Sequence, residues 1–138
     1  MTYLVDTNVL SEIRKASPDA MVARWFESAA DSDLYLSALV VGEVRQGIER
    51  LRGRDPRQAS VFESWLDGLQ RDFGKRVLPV SAAIADAWGR LNAQRPLPVI
   101  DSLLAATALV HGLTLVTRDT AALVCSGVPL LNPWEATV

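Results

Sequence analysis

Short apolar runs recur along the chain, and longer segments with a helical spacing of apolar residues lie between them. Each run ends at a polar residue or a turn and is too short for a helix, which is typical of buried β-strands. The pattern predicts strands over residues 2–5, 34–37, 77–80, 113–117 and 128–131.

The intervening segments place apolar residues on one face of a helix. They predict helices over residues 9–15, 39–52, 82–93 and 100–110, and another that begins after Pro56 and ends at Gly74. One more helix follows the Ser17-Pro18-Asp19 turn, with Ser17 expected as its N-cap. Because apolar strands alternate with helices, we expect a mainly parallel sheet covered on both faces. The predicted fold class is α/β, as a single three-layer domain over residues 1–138.

Composition and charge exclude several function classes. The chain has 14 Lys and Arg against 16 Asp and Glu, a net charge of −2, which excludes a uniformly basic nucleic-acid coat but leaves room for a local basic patch. A single Cys (Cys125) and a single His (His111) exclude an intrachain disulfide and a Cys/His zinc cage. A Ser-His-Asp triad would need His111, which is better explained as the last residue of a helix.

The first residues of the chain and its apolar stretches bear on location. The start has no basic segment of the signal-peptide type, and it reaches a carboxylate at Asp6. Polar residues interrupt the longest apolar stretch, over residues 102–116, before it reaches the ~18 residues that a membrane span needs. We therefore expect a cytoplasmic protein that does not cross a membrane.

Four acidic residues lie where an open parallel sheet binds its ligands, beyond the carboxyl ends of the strands. Asp6 and Asp119 follow the first and fourth predicted strands, Glu43 interrupts an apolar helix face, and Asp101 lies at the start of the 100–110 helix. Each acid also has a simpler explanation: Asp6 and Asp101 could cap helices, and Asp119 could be a turn residue. Spacing alone leaves both readings open.

Convergence of these acids would have a chemical consequence. Two carboxylates ~4 Å apart repel by roughly 4 kcal/mol at an effective dielectric of 20, so the group would be protonated or would bind a cation. Oxygen ligands without His or Cys suit Mg²⁺ or Mn²⁺. Such ions activate water and offset charge in phosphoryl chemistry.

Five segments of the chain carry the pattern of a known family. They read YLVDTNVLSE at 3–12, SALVVGEVRQG at 37–47, IDSLLAATA at 100–108, HGLTLVTRD at 111–119 and GVPLLNPWE at 127–135. In this order they resemble the PIN-domain ribonucleases, specifically the VapC-type toxins of the FitB-like branch. One departure stands at Ala122-Leu123, where many relatives carry Asp-Phe, so no auxiliary role of that acid is expected here.

The resemblance implies a cytoplasmic endoribonuclease, the toxin of a VapBC-type toxin–antitoxin pair, which hydrolyses RNA with metal-activated water. It assigns catalysis and the binding of Mg²⁺ or Mn²⁺ to four acids: Asp6, Glu43, Asp101 and Asp119. It assigns supporting positions around them to three polar residues: Thr7, Asn8 and Thr117. It also implies an RNA substrate, a VapB-type antitoxin partner, and a homodimer or a larger toxin–antitoxin assembly.

Two further features have weaker readings. Arg45 and Arg50 belong to a local excess of arginine over residues 45–57 that could follow an RNA backbone, although a solvated helix end explains the same charges. Several large apolar residues on the helices are expected in the core, and some of them on a two-fold dimer surface: Met21, Trp25, Phe62, Trp65 and Trp88. Trp134 lies outside any clear helix and has no assignment.

Three alternatives remain at this level. A phospho-receiver-like signalling domain would need a lysine after a late strand, and neither Lys15 nor Lys75 is so placed. A haloacid-dehalogenase-like phosphatase would need Asp-x-Asp after the first strand, where this chain has Asp6-Thr7-Asn8. A catalytically silent PIN scaffold that only binds RNA or protein would normally lack one of the acids, and none is missing.

Overall fold

The computed structural model describes residues 1–135, so residues 136–138 of the predicted domain lie outside the described residues. A parallel sheet of five strands runs through this part of the chain, in the order β3-β2-β1-β4-β5. The strands are β1 (Tyr3–Val5), β2 (Leu34–Ser37), β3 (Val77–Leu78), β4 (Thr114–Val116) and β5 (Leu130–Leu131). The predicted α/β class and parallel sheet are confirmed.

Seven α-helices connect and flank these strands within residues 1–135. They are α1 (Thr7–Arg14), α2 (Ala20–Ser28), α3 (Ala38–Arg52), α4 (Pro56–Phe73), α5 (Ala82–Gln94), α6 (Val99–His111) and α7 (Thr120–Leu123). Of these, α7 has only four residues and was not predicted. No helix among the described residues is both long and apolar enough to cross a bilayer.

The start of α2 differs from the prediction. Asp19, not Ser17, is the N-cap, because its carboxylate accepts hydrogen bonds from the backbone N–H groups of Met21 and Val22 at 2.9 and 3.2 Å. The backbone N–H of Asp19 donates in turn to Glu12 at 2.9 Å, which fixes the cap against α1. An ionised carboxylate that meets two free N–H groups satisfies more of the helix end than a single hydroxyl.

Two edge strands are shorter than predicted. β3 ends at Leu78 because Pro79 has no N–H to continue the ladder. β5 begins after Pro129, while the N–H of Val128 donates to the Ser126 hydroxyl at 3.3 Å instead of to a neighbouring strand. Both strands lie at the ends of the sheet order, so a short ladder there leaves the centre intact.

The core lies between the central strands and the helices that cover them. Leu4 and Val5 of β1, Leu36 of β2 and Leu115 of β4 are fully buried. The predicted packing of Trp25 and Trp65 against this core is confirmed, and Phe62 packs on a second cluster between α3 and α4. Trp88 instead joins two helices, because its indole N–H donates to the Ser102 hydroxyl at 2.9 Å.

Candidate active site

Asp6 and Thr117 meet at the carboxyl edge of the two central strands. β1 and β4 run parallel with Val5 opposite Val116, so the residues that follow each strand are neighbours. The backbone N–H of Asp6 donates to the Val116 carbonyl at 3.0 Å and extends the pairing by one step. The sheet register therefore places the first acid of the site.

The carboxylate of Asp6 is buried, and each of its oxygens accepts one hydrogen bond. It is 7% exposed; Oδ1 accepts from the backbone N–H of Thr7 at 2.7 Å and Oδ2 accepts from the Thr117 hydroxyl at 2.8 Å. Thr117 Oγ1 accepts in turn from the backbone N–H of Asp119 at 3.2 Å and from Asn8 Nδ2 at 3.4 Å. Asp6 is also the N-cap of α1, so the capping explanation holds for this residue alongside its contacts to the site.

Thr7 connects the first acid to the second. Its backbone N–H bonds Asp6, and its hydroxyl donates to Glu43 Oε1 at 2.8 Å. Glu43 is half-buried on α3, where a β-carbon built at nearby Gly47 would meet nothing within 4 Å. There is thus open space at Gly47, one helical turn from Glu43 along α3.

Asp101 and Asp119 are the third and fourth acids of the site. Asp101 lies in the first turn of α6 and does not cap that helix, because the N-cap position is Pro98. Asp119 precedes α7 without a side-chain cap bond. Among residues 1–135, neither carboxylate accepts a hydrogen bond. The capping explanation of Asp101 is therefore wrong, and no local hydrogen bond accounts for its carboxylate.

The four acids interact through their charges. The pKa of Asp6 is raised from 3.8 to about 6, chiefly because burial removes water from the carboxylate; the hydrogen bonds from Thr117 and Thr7 oppose this rise, and the charges of Glu43 and Asp101 add to it. The pKa of Asp101 is also raised, by burial first and by the charge of Asp119 second. The structure thus brings the predicted acids into one electrostatic neighbourhood.

The candidate donors of the site bear on whether it can bind a metal ion. Within residues 1–135, no three His, Cys, Asp or Glu side chains lie close enough together to hold an ion. The chemistry nevertheless suits Mg²⁺ or Mn²⁺, because every candidate donor is an oxygen and the charges on the acids repel one another. Asn8 Oδ1 is a further oxygen beside this group, buried without a hydrogen-bond partner among the described residues. The donors fit a hard cation, and the carboxylates would have to draw together to ligate it.

The arginine-rich end of α3 is less available than predicted. Arg45 pairs with Glu63 at 2.5 Å and Glu49 at 3.3 Å, and Arg52 pairs with the same two acids. Glu63 comes from α4 and lies outside the 45–57 segment in which the sequence showed an excess of arginine. Arg50 is exposed and takes part in no ion pair within residues 1–135. No described contact joins these arginines to the acids of the site.

A groove and an aromatic stack beside the acids were not predicted. The groove has a volume of about 370 Å³, begins at Thr7 and Glu43, and continues between α1, α3 and α4 past Phe62 and Trp65. The guanidinium of Arg118, which lies between Thr117 and Asp119 in the chain, is 4.8 Å from the ring centroid of Trp134. The sequence carries one sign of this stack. The Asn132-Pro133-Trp134 segment follows the last strand, so it lies at the same edge of the sheet as Arg118.

Comparisons with known proteins agree with the fold and the motifs. The profile of the PIN domain matches residues 3–123. The VapC ribonuclease Y4jK of Sinorhizobium fredii is 35% identical over 138 residues, which cover 96% of this chain and 97% of that protein. Toxin FitB of Neisseria gonorrhoeae is 32% identical over 137 residues, 96% of this chain and 98% of that protein. The crystal structure of FitAcB from Neisseria gonorrhoeae superposes with a TM-score of 0.90 at 31% identity, covering 98% of this chain and 100% of that one.

Proposed function

Because this chain belongs to the PIN-domain family, we propose that it is a Mg²⁺- or Mn²⁺-dependent endoribonuclease and the toxin of a VapBC-type toxin–antitoxin pair. Support comes from relatives that bear the names VapC ribonuclease and toxin FitB and that match nearly the whole chain. The proposal extends to one functional unit over residues 1–138 in the cytoplasm.

The observation that carries the proposal is the environment of Asp6. Its buried carboxylate is held by Thr7 and Thr117, and it lies within electrostatic reach of Glu43 and Asp101. A helix cap needs one acid, whereas an arrangement that raises the pKa of Asp6 to about 6 costs stability. Such a cost is explained when a bound cation offsets it and when the acids serve a reaction.

The acids and their supports have separate roles in this proposal. Asp6 and Asp101 chiefly would hold the ion, with Glu43 and Asp119 completing or orienting the site. When bound, Mg²⁺ or Mn²⁺ supplies activation of the attacking water and offsets negative charge on the phosphate. The chain itself fixes where the carboxylate oxygens of Asp6 and Glu43 point, and those oxygens can orient the attacking water.

Hydrogen bonds from Thr117 and Thr7 fix the orientation of individual carboxylate oxygens. Thr117 holds Asp6 Oδ2 and is itself held by the backbone N–H of Asp119. Thr7 holds Asp6 Oδ1 through its N–H and Glu43 Oε1 through its hydroxyl. In hydrolysis the water oxygen bonds to phosphorus, the bond from phosphorus to the ribose 3′-oxygen breaks, and a proton passes to that oxygen. The products are a 5′-phosphate and a 3′-hydroxyl.

A VapB-type antitoxin is the proposed protein partner. The groove that begins at Thr7 and Glu43 offers apolar side chains, including Phe62 and Trp65, to a partner segment that also reaches the acids. Its lining includes the cations Arg14 and Arg54, so a segment with acidic as well as apolar residues fits it.

A catalytically silent scaffold is the second candidate, because no three acids among residues 1–135 stand at ligating distance. The receiver-like alternative has less support. Lys15 pairs with Glu12 at 2.9 Å, and Lys75 precedes β3, at the opposite edge of the sheet from the acids.

Expression of the wild-type chain in cells, followed by sequencing of RNA 5′ ends, tests the proposed function. We expect new 5′-phosphate ends at defined sites in the RNA. Cells that express Asp101→Asn at the same protein level should show none of them. Asp67→Asn, an exposed acid on α4, is the matched control and should cut like wild type. If Asp101→Asn produces the same new ends as wild type, the assignment of Asp101 to the active site is wrong. If neither wild type nor any variant produces new ends, the silent scaffold is favoured.

A further inference from the structure

Arg118 is a cation that is adjacent in the chain to two residues of the acidic site. It lies between Thr117, which bonds Asp6, and Asp119, and it follows β4 at the carboxyl edge of the sheet. Its side chain is exposed, and no ion pair within residues 1–135 includes it. A free guanidinium is therefore available next to the residues proposed for catalysis.

Trp134 holds this guanidinium in place. The indole ring is half-buried against the main core, and the Arg118 guanidinium carbon lies 4.8 Å from its centroid. Asn132 ties the two segments together: its Oδ1 accepts from the backbone N–H of Trp134 at 2.9 Å, and its Nδ2 donates to the Arg118 carbonyl at 3.4 Å. Because β5 pairs in parallel with β4, both partners of the stack emerge at the same edge.

Glu12 is an acid whose pKa responds to the charge of Arg118, and its carboxylate is already hydrogen-bonded elsewhere. The pKa of Glu12 is lowered mainly by the hydrogen bond from the backbone N–H of Asp19, next by Lys15, and only last by the charge of Arg118. Glu12 bonds Lys15 and Asp19 at 2.9 Å each, and it is not within ion-pair distance of Arg118. The charge of Arg118 is thus free to meet an anion from outside the chain.

An RNA-cutting site built from carboxylates has an electrostatic difficulty, because the acids repel the phosphates that must approach them. A planar guanidinium stacked on an indole keeps its N–H edge exposed, and that edge matches two phosphate oxygens. The stack also reduces the rotamer freedom that the side chain would lose on binding.

We propose that Arg118 binds an RNA phosphate next to the cleaved bond and that Trp134 is the positioning residue for its guanidinium. This inference rests on the proposed ribonuclease function. A phosphate contact has a signature that a structural role lacks: each one steepens the fall of RNA affinity with salt, by about 0.7 in the log–log slope for single strands.

The test measures RNA binding and cleavage by the full chain. Binding of a fluorescein-labelled, mixed-sequence single-stranded RNA is followed by anisotropy across salt concentrations, in an Asp101→Asn background so that RNA is not consumed. We expect Arg118→Gln to weaken binding about tenfold at low salt and to reduce the slope by about 0.7. Arg118→Lys should keep the slope and lose part of the affinity, because it keeps the charge without the fork.

Variants of Trp134 and a matched control at Lys75 are measured in the same binding assay. Trp134→Leu should weaken binding less than Arg118→Gln does, and Trp134→Phe should restore it. Lys75→Gln removes one exposed positive charge at the opposite edge of the sheet and should change neither affinity nor slope. In the otherwise wild-type chain, Arg118→Gln should raise KM with kcat little changed.

The outcomes separate the two proposals. A wild-type chain that fails to cleave RNA contradicts the proposed function. If wild type cleaves RNA while Arg118→Gln matches Lys75→Gln in affinity and slope, the phosphate contact is wrong and the ribonuclease stands. If Arg118→Gln lowers kcat and leaves the salt slope unchanged, the phosphate contact is also wrong. Arg118 would then act on the placement of Thr117 or Asp119.

Discussion

The Thr7 hydroxyl donates to Glu43 Oε1 across 2.8 Å, joining the first turn of α1 to the middle of α3. The same residue bonds Asp6 through its backbone N–H, so one threonine fixes two acids from different elements. Glu43 would otherwise have a long, freely rotating side chain in open space. The relationship between Thr7 and Glu43 is thus what makes the second acid part of the site.

Thr7→Val tests this tie, because valine keeps the shape of threonine and removes the hydroxyl. We expect RNA cleavage to fall by about 10- to 100-fold, as is common when a residue that orients a ligating group is lost. Thr7→Ser keeps the donor and should retain most of the activity. Equal rates for the valine variant and wild type in a cleavage assay would show that Glu43 needs no fixing by Thr7.

The raised pKa of Asp6 makes stability depend on pH. Its pKa is about 6 in the folded chain against an ordinary 3.8, so the folded state binds more protons between these values. The contribution of Asp6 to stability is therefore fully present below about pH 3.8 and is lost as pH rises through 6. Asp6→Asn has no such titration at this position.

Relative to Asp6→Asn in EDTA, the wild type should lose up to about 2.5 kcal/mol of unfolding free energy between pH 4 and 7. Denaturant unfolding of both proteins at each pH measures the difference, and other titrating groups common to both largely cancel. A difference that stays constant, or that grows in favour of wild type, would contradict the account of Asp6.

Much of the fold could be predicted from the sequence because the strands are buried on both sides and read as continuous apolar runs. The predicted ends of strands and helices were wrong where a single local group determines the end of the element. Pro79 ended β3 through its missing N–H, and Asp19 displaced Ser17 as a cap because its carboxylate meets two N–H groups. Such competition between neighbouring polar residues does not change the hydrophobic pattern.

The site was predictable only in part. Asp6 and Thr117 meet because β1 and β4 are paired, and the carboxyl-edge rule for parallel sheets anticipates that. The pairing of Arg45 with Glu63 joins two helices, and the stack of Arg118 on Trp134 joins two segments that follow paired strands. Contacts of that kind depend on how helices and loops pack, which spacing along the chain does not carry.

Large apolar residues that the domain does not fully cover lead us to expect self-association. Trp25 on α2 is half-buried, as are Phe62 and Trp65 on α4. Val61, also on α4, is 59% exposed. We expect a homodimer at micromolar concentration in analytical ultracentrifugation. Val61→Glu should shift the sedimentation toward monomer if α4 forms part of the interface. Monomer alone for the wild type would contradict the predicted association.

Inhibition by the antitoxin should use both the groove and the acids. We expect a short chain whose C-terminal segment packs its apolar residues near Phe62 and Trp65 and places one Arg or Lys among the carboxylates. Charge reversal of that basic residue should restore part of the nuclease activity in the complex, and added Mn²⁺ should compete with the intact antitoxin. If neither change alters activity, inhibition occurs away from the acids.

The dependence of RNA cleavage on Mn²⁺ tests the central claim most directly, measured with wild type, Asp101→Asn and the control Asp67→Asn. The account predicts saturable activation of wild type and the control, no activity in EDTA, and neither cleavage nor Mn²⁺ binding by Asp101→Asn, although that variant remains folded. Cleavage by Asp101→Asn at the wild-type rate, or wild-type cleavage undiminished in EDTA, would contradict the assignment of these acids to a metal-dependent ribonuclease site.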